Sequence, residues 1–160
     1  GVVIVIVRDD LIREDVLPFT PTIMRYKTQA DAGSLSNTPP CYGIYMCGKV
    51  FQWLKGLGGL EAMQKLNEEK AAILYDYLDQ SKLFSGTAKK EFRSLMNVPF
   101  VTGNPELDAK FIAEAKAAGI ENIKGHRSVG GMRASIYNAM PKAGVEALVQ
   151  FMDKFERENA

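Results

Sequence analysis

The sequence predicts an α/β chain in two parts, and three observations point to it. Val2 to Val7 is an unbroken run of β-branched apolar residues, the pattern of a strand covered on both faces in a parallel sheet. Leu60 to Leu78 and Val145 to Phe155 repeat apolar residues at three- and four-residue steps, the period of helices with one buried side. Met132 to Tyr137 alternates apolar and polar residues, as a half-buried strand does. The glycine-rich break Gly56-Leu57-Gly58-Gly59 separates the parts. Residues 1–57 read as the distal, incomplete segment of a larger domain, because a buried strand needs neighbours that the next residues do not offer. Residues 58–160 read as a small α+β domain with a short antiparallel sheet and packed helices. The expectation is that this sequence is the later part of a longer protein.

Each element follows in order. Arg8-Asp9-Asp10 closes the first strand, and Pro18, Pro21, Gly33, Pro39 and Pro40 punctuate a segment that reads as loop. Tyr42, Tyr45, Met46, Val50, Trp53 and Leu54 mark a helix that ends at the glycine break. In the next helix Leu60, Met63, Leu66, Leu74, Tyr77 and Leu78 form the apolar side, with Glu61, Lys65, Glu68, Glu69 and Lys70 on the wet side. Phe92 to Val101 alternates as a strand, and Pro99, which cannot donate to a ladder, predicts an edge or a strand end there. Leu107, Phe111, Ile112 and Ala115 mark a short helix closed by Gly119. Ile123-Lys124 and Met132 to Tyr137 flank a glycine loop, with Met132, Ala134 and Ile136 on one face and Arg133, Ser135 and Tyr137 on the other. Pro141 suits the first turn of the last helix, whose apolar face is Val145, Leu148, Val149, Met152 and Phe155.

Composition excludes several classes of function. Twenty basic against nineteen acidic residues give a net charge of +1 with no long run of either sign, so there is no electrostatic footprint for nucleic acid or an anionic membrane. The apolar opening is too short to span a bilayer and has no basic region before it. Cys41 and Cys47 have no second cysteine pair and one histidine for company, which argues against a metal site and for buried, reduced thiols in a cytoplasmic protein.

The concentrated chemistry lies in Gly125 to Arg133, GHRSVGGMR. Gly130 and Gly131 allow a sharp turn and close approach of a ligand to the backbone. Arg133, on the strand after the turn, carries a planar fork of donors that matches a carboxylate. His126 and Arg127 form a second donor cluster suited to the oxygens of a phosphate. Two anionic groups on one small substrate fit this set. Arginines beside turns also pair with surface carboxylates, and a single histidine is commonly a packed or hydrated side chain. Asn37-Thr38-Pro39-Pro40 reads by spacing as loop and helix cap.

The run KGHRSVGGMRASIYNAMP (Lys124 to Pro141), with SNTPP at Ser36 to Pro40, MNVPF at Met96 to Phe100 and VFQWLKGLGGLEAMQKLNEEKAAILYDYLDQS at Val50 to Ser81, is similar to the phosphoserine aminotransferases. These are pyridoxal 5'-phosphate enzymes of the aspartate-aminotransferase fold. The resemblance covers essentially the whole chain. It implies that residues 1–57 are the end of the large cofactor-binding domain and residues 58–160 the small substrate-binding domain. It implies that His126 and Arg127 hold the substrate phosphate, that Arg133 holds the α-carboxylate, and that Asn37 and Thr38 reach across a homodimer to the neighbour's cofactor phosphate. Leu35-Ser36 and Cys41 depart from the residues many members carry beside the Asn-Thr pair. No catalytic residue is assigned, because the family's Schiff-base lysine matches a position before Gly1 and none of the chain's lysines lies in its context.

The activity implied is transamination between phosphoserine with 2-oxoglutarate and phosphohydroxypyruvate with glutamate, a cytoplasmic step of serine biosynthesis. The chain alone is then inactive. The alternative is a non-catalytic anion-binding and dimerisation module derived from the same fold. A related aminotransferase acting on a different acid is disfavoured by His126 and Arg127 standing together beside Arg133.

Overall fold

Apolar burial is confined to one stretch of the chain: every core residue lies between Met63 and Phe155. The computed structural model describes residues 1–159, which divide into two units, Gly1–Gly56 and the chain from Leu57 onward.

In the first unit, single turns at Asp9–Leu11 and Thr22–Met24 precede helices α1 (Tyr26–Asp31) and α2 (Cys41–Gly56). Val2 to Val7 makes no strand, contrary to expectation, and Val3 and Ile6 are 85% and 95% exposed. A β-branched run has the propensity for a strand, but a strand exists only by pairing, and no described residue supplies the ladder. Helix α1 falls inside the stretch read as loop. It is too short to show a helical period, and it is tied locally by Lys27 Nζ donating to Asp31 Oδ1 at 2.9 Å. Helix α2 lies where the sequence places it, opened by the Ile44 N–H donating to the Pro40 carbonyl at 3.0 Å. The expected burial of both thiols does not hold: Cys41, in the first turn of α2, is exposed and Cys47 is half-buried, and both are free.

The second unit opens with α3 (Gly59–Gln80), preceded by Gly58 at a φ of 105° that favours glycine. Its buried face is Met63, Asn67, Lys70, Ala71, Leu74, Tyr75 and Leu78. Leu60, in the first turn, and Leu66, on the flank of the stripe, stay exposed. Lys70 corrects the expected wet face, being 4% exposed and sealed among backbone carbonyls.

Strands β1 (Ser85–Gly86), β2 (Asn97–Val101) and β3 (Met132–Ser135) form an antiparallel sheet in the order β1-β2-β3. The expected strand from Phe92 begins only at Asn97, since Lys90–Phe92 is a single helical turn. Pro99 therefore lies in the central strand, not at an edge. Its carbonyl accepts from the Thr87 N–H at 3.2 Å, the reciprocal bond needs a hydrogen that proline lacks, and β1 ends at Gly86.

Helix α4 (Pro105–Ala117) is capped by Asn104, whose Oδ1 accepts from the Glu106 N–H at 2.9 Å, and is followed by Gly119 at a φ of 84°. Helix α5 (Lys142–Asn159) buries Val145, Leu148, Met152 and Phe155. Phe111 of α4 meets Phe84 and Phe155 edge-on, with ring centroids 5.1 Å apart in both pairs. Met132 and Ala134 of β3 and Ile136 beyond it face this core, so Arg133 and Ser135 face away from it, as the alternation requires.

Candidate functional site

The glycine loop is a backbone construction before it is a set of side chains. The Gly125 N–H donates to the Gly131 carbonyl at 2.8 Å, and the amides of Val129 and Gly130 both donate to the His126 carbonyl, at 2.9 and 2.8 Å. A Cβ on Gly125 would collide with the Gly130 carbonyl oxygen, and one on Gly131, at a φ of 60°, would lie 2.6 Å from Val101 Cγ1 and 2.8 Å from the Phe100 carbonyl oxygen. Bare backbone is needed at both positions. The result is a tight turn that leaves His126, Arg127, Ser128 and Val129 exposed.

His126 Nδ1 and Ser128 Oγ are 2.7 Å apart, which orients the imidazole and leaves Nε2 at the outer end of the ring. His126 and Arg127 line an open pocket of about 540 Å³ with Lys124, Gly130 and Gly131 against Asp108 and Ile112 of α4. Asp108 is already engaged, accepting from the Thr102 N–H at 2.8 Å and the Thr102 hydroxyl at 2.7 Å. The remaining ionisable groups of the pocket are cationic or can become so, which suits an anion. Lys124 belongs to this set although its side chain attracted no attention in the sequence. Its place immediately before the glycine turn is the sequence signal that could have found it, and in the structure it is fixed by an isolated bridge to Met132.

Arg133 occupies a different place and does not line that pocket. It sits on β3 opposite Pro99, on the sheet face away from the core, next to Ser135 and Tyr137, whose hydroxyls donate to Asn97 Oδ1 at 3.4 and 3.2 Å. Its amide donates to the Ile123 carbonyl at 2.8 Å, fixing the strand. Its Nε is buried without a hydrogen-bond partner. None of the ion pairs among the described residues includes His126, Arg127 or Arg133. The surface-pair reading of these arginines thus finds no carboxylate. A buried, unpartnered donor of a charged group costs about 1–3 kcal/mol or more.

Asn37 and Thr38 belong to the first unit. Both are exposed and line a pocket of about 1000 Å³ with Ser34, Gln29, the Pro39-Pro40 pair, the opening segment and one side of α2. Their amide and hydroxyl are neutral donors, and the pocket contains no Lys, Arg or His. Among the described residues no group of three or more His, Cys, Asp or Glu could hold a metal ion.

The second unit thus carries a loop shaped by glycine that presents basic side chains and, outside that pocket, a strand arginine with an unpaired donor. The family model of the class-V aminotransferases matches residues 1–148, and the chain belongs to that family. Its curated relatives are more specific. It is 58% identical over 159 residues to the phosphoserine aminotransferase of Haemophilus influenzae, covering 99% of this chain and 44% of the relative. It is 55% identical over 161 residues to that of Streptococcus agalactiae, covering 100% of this chain and 44% of the relative. Among solved structures it is similar to the phosphoserine aminotransferase of Bacillus circulans subsp. alkalophilus, with a TM-score of 0.90 and 45% identity over 96% of this chain and 43% of that one. The pyridoxal-phosphate-bound enzyme of Trichomonas vaginalis gives a TM-score of 0.85 and 40% identity over 92% of this chain and 42% of its own. The chain therefore spans less than half the length of the curated relatives it matches.

Proposed function

We propose that the chain is the C-terminal portion of a phosphoserine:2-oxoglutarate aminotransferase of serine biosynthesis, cytoplasmic and homodimeric, and that this portion is inactive by itself. The observation that carries the reading is the Arg133 guanidinium, with a buried unpartnered Nε, on the strand that leaves a loop of cationic side chains. Its fork binds the α-carboxylate that every amino-acid substrate shares. His126 and Arg127, with Lys124 beside them, hold the phosphate of phosphoserine and accept the side-chain carboxylate of glutamate in the return half-reaction.

Membership of the class implies pyridoxal 5'-phosphate, which supplies the electron sink for transferring an amino group. The donor chemistry of Asn37 and Thr38 fits a phosphate already neutralised elsewhere, because amide and hydroxyl donate without adding charge. In the homodimer these two reach the cofactor phosphate of the neighbouring subunit. Arg133 holds the substrate so that its α C–H is aimed for proton removal, and placement of this kind can supply several kcal/mol of a barrier. The Schiff-base lysine is assigned to no residue of this chain.

The test is the substrate profile of two variants of the full-length enzyme. Arg127→Ala should lower kcat/KM for phosphoserine more than for glutamate, whereas Arg133→Ala should lower both by roughly ten- to more than a hundredfold, the scale of a lost charge-assisted bond. Arg133→Lys should recover only part, since an ammonium lacks the fork. Identical profiles for Arg127→Ala and Arg133→Ala would defeat the assignment.

A further inference from the structure

We propose that Lys70 is a positioning residue for carboxylate binding: its ammonium, enclosed by the backbone carbonyls of the turn leaving β3, fixes how β3 presents Arg133. The inference rests on the reading of Arg133 as the carboxylate anchor. Lys70 Nζ lies 2.8 Å from the Tyr137 carbonyl oxygen, 3.1 Å from that of Met140, 3.4 Å from that of Ile136 and 3.5 Å from that of Asn138. All four acceptors belong to one short stretch between β3 and α5, and none is a carboxylate. One turn away on α3, Asn67 Nδ2 donates to Asn138 Oδ1 at 2.8 Å, so two neighbouring polar side chains of an otherwise apolar helix face grip the same turn.

An apolar residue would serve the core better at this position, because burying an ammonium costs several kcal/mol before its acceptors offset it. What the lysine adds is geometry. Strand β3 is four residues long, and a slip of one residue would turn Arg133 into the core and bring Met132 and Ala134 out. On its entry side the strand is anchored by the Gly125–Gly131 bond and by the Arg133 amide on Ile123. On its exit side the anchors are the Ile136 amide, donating to the Met96 carbonyl at 2.9 Å, and the Lys70 cage. Removing the cage leaves the Ile136 amide, the Asn67–Asn138 bond and the Ser135 and Tyr137 hydroxyls on Asn97 to hold the exit side, and so loosens the end of a four-residue strand.

The test uses the full-length protein with Lys70→Met, which keeps an unbranched side chain and removes the donors, and Lys70→Ala, which leaves room for a small cation. Met152→Ala, in the core of α5, is the control for general destabilisation. In Lys70→Met, amide hydrogen exchange from Ala134 to Asn138 should accelerate, and KM for phosphoserine and glutamate should rise by the same factor of about ten, the scale on which groups that orient a binding side chain act. Preference between the two substrates should not change, since His126 and Arg127 are untouched. Methylammonium should restore part of the loss in Lys70→Ala and none in Met152→Ala. Unchanged exchange, unchanged KM with faster exchange, or an equal KM effect in Met152→Ala overturns the inference. If the wild-type protein does not transaminate, the proposed function falls, and calorimetric binding of glutarate then decides the role of Lys70. Weaker binding by Lys70→Met supports it, and equal affinity, or no binding by either protein, overturns it.

Discussion

Two stretches whose sequences both predict strands meet opposite fates in this chain. Val2 to Val7 stays largely exposed, whereas Met132, Ala134 and Ile136 are at most 3% exposed. The second stretch alternates, pairs with β2 in register and meets the apolar faces of α3, α4 and α5. The first has no ladder among the described residues. No residue of Gly1–Gly56 is buried, while the chain from Leu57 carries the whole aromatic core. Hydrophobicity is a demand for partners, and only the second unit meets that demand from its own sequence. The candidate site residues divide the same way: Arg133 and the His126 loop are braced by neighbours in their own unit, while Asn37 and Thr38 stand on an exposed loop.

The contrast can be broken most forcefully at the aromatic core. Phe111→Ala should cost the second unit about 3–5 kcal/mol, a large part of the stability of a domain this size, whereas Ile6→Ala should move the unfolding midpoint by no more than about 0.5 kcal/mol. Denaturant melts of the two variants followed by circular dichroism give the comparison, and comparable losses would remove it.

Gly131→Ala comes next, since its Cβ would press on Val101 and the Phe100 carbonyl at a φ of 60°. Strain and displacement there should cost about 1–3 kcal/mol and weaken phosphate binding. Gly130→Ala, at a φ of 78° in open space, should cost less. Equal melting temperatures and equal phosphate affinity in the pair would show that the close approach at Gly131 does not shape the loop.

Acid gives a smaller effect, again specific to the second unit. Burial pushes the Glu156 carboxyl up, but hydrogen bonds from the Ser81 hydroxyl, the Lys82 amide and the Tyr77 hydroxyl outweigh it and leave the pKa below its ordinary 4.5. A lowered folded pKa means that this stabilisation is complete above 4.5 and is lost as pH falls through the folded value. Glu156→Gln should therefore flatten the stability profile of the second unit below pH 4.5, and an unchanged acid limb in thermal melts would remove Glu156 from the account.

In the first unit, Asn37→Ala with Thr38→Ala should have as small a folding effect as Ile6→Ala. The cap that their spacing suggests is not formed, since α2 begins at Cys41 and its first amides bond to the Pro39 and Pro40 carbonyls, so cofactor retention in the full-length protein should fall while folding stability changes by no more than about 0.5 kcal/mol. Equilibrium dialysis that showed full retention beside a lowered melting temperature would give the pair a structural role in place of a cofactor-binding one.

Period and turn chemistry were enough to read α2, α3, α4, α5 and β3, because each declares itself by local spacing. They were also enough to single out Arg133, since alternation about the buried Met132 and Ala134 forces its side chain to the other face. They failed wherever the answer lay in a distant partner. The opening run has strand propensity without a strand, because pairing is a property of two segments. Pro99 sits in a central strand, because the sheet places it where the two-residue β1 stops and its missing hydrogen breaks no longer ladder. Lys70 reads as a solvated charge in its own helix and becomes a buried clamp only when the turn after β3, some seventy residues on, brings its carbonyls to the ammonium. Local sequence thus determined which backbone segments could form and which side of β3 Arg133 would take. Tertiary structure alone decided which polar groups leave water, because the desolvation of a charge can be offset only by acceptors that the fold delivers from elsewhere in the chain.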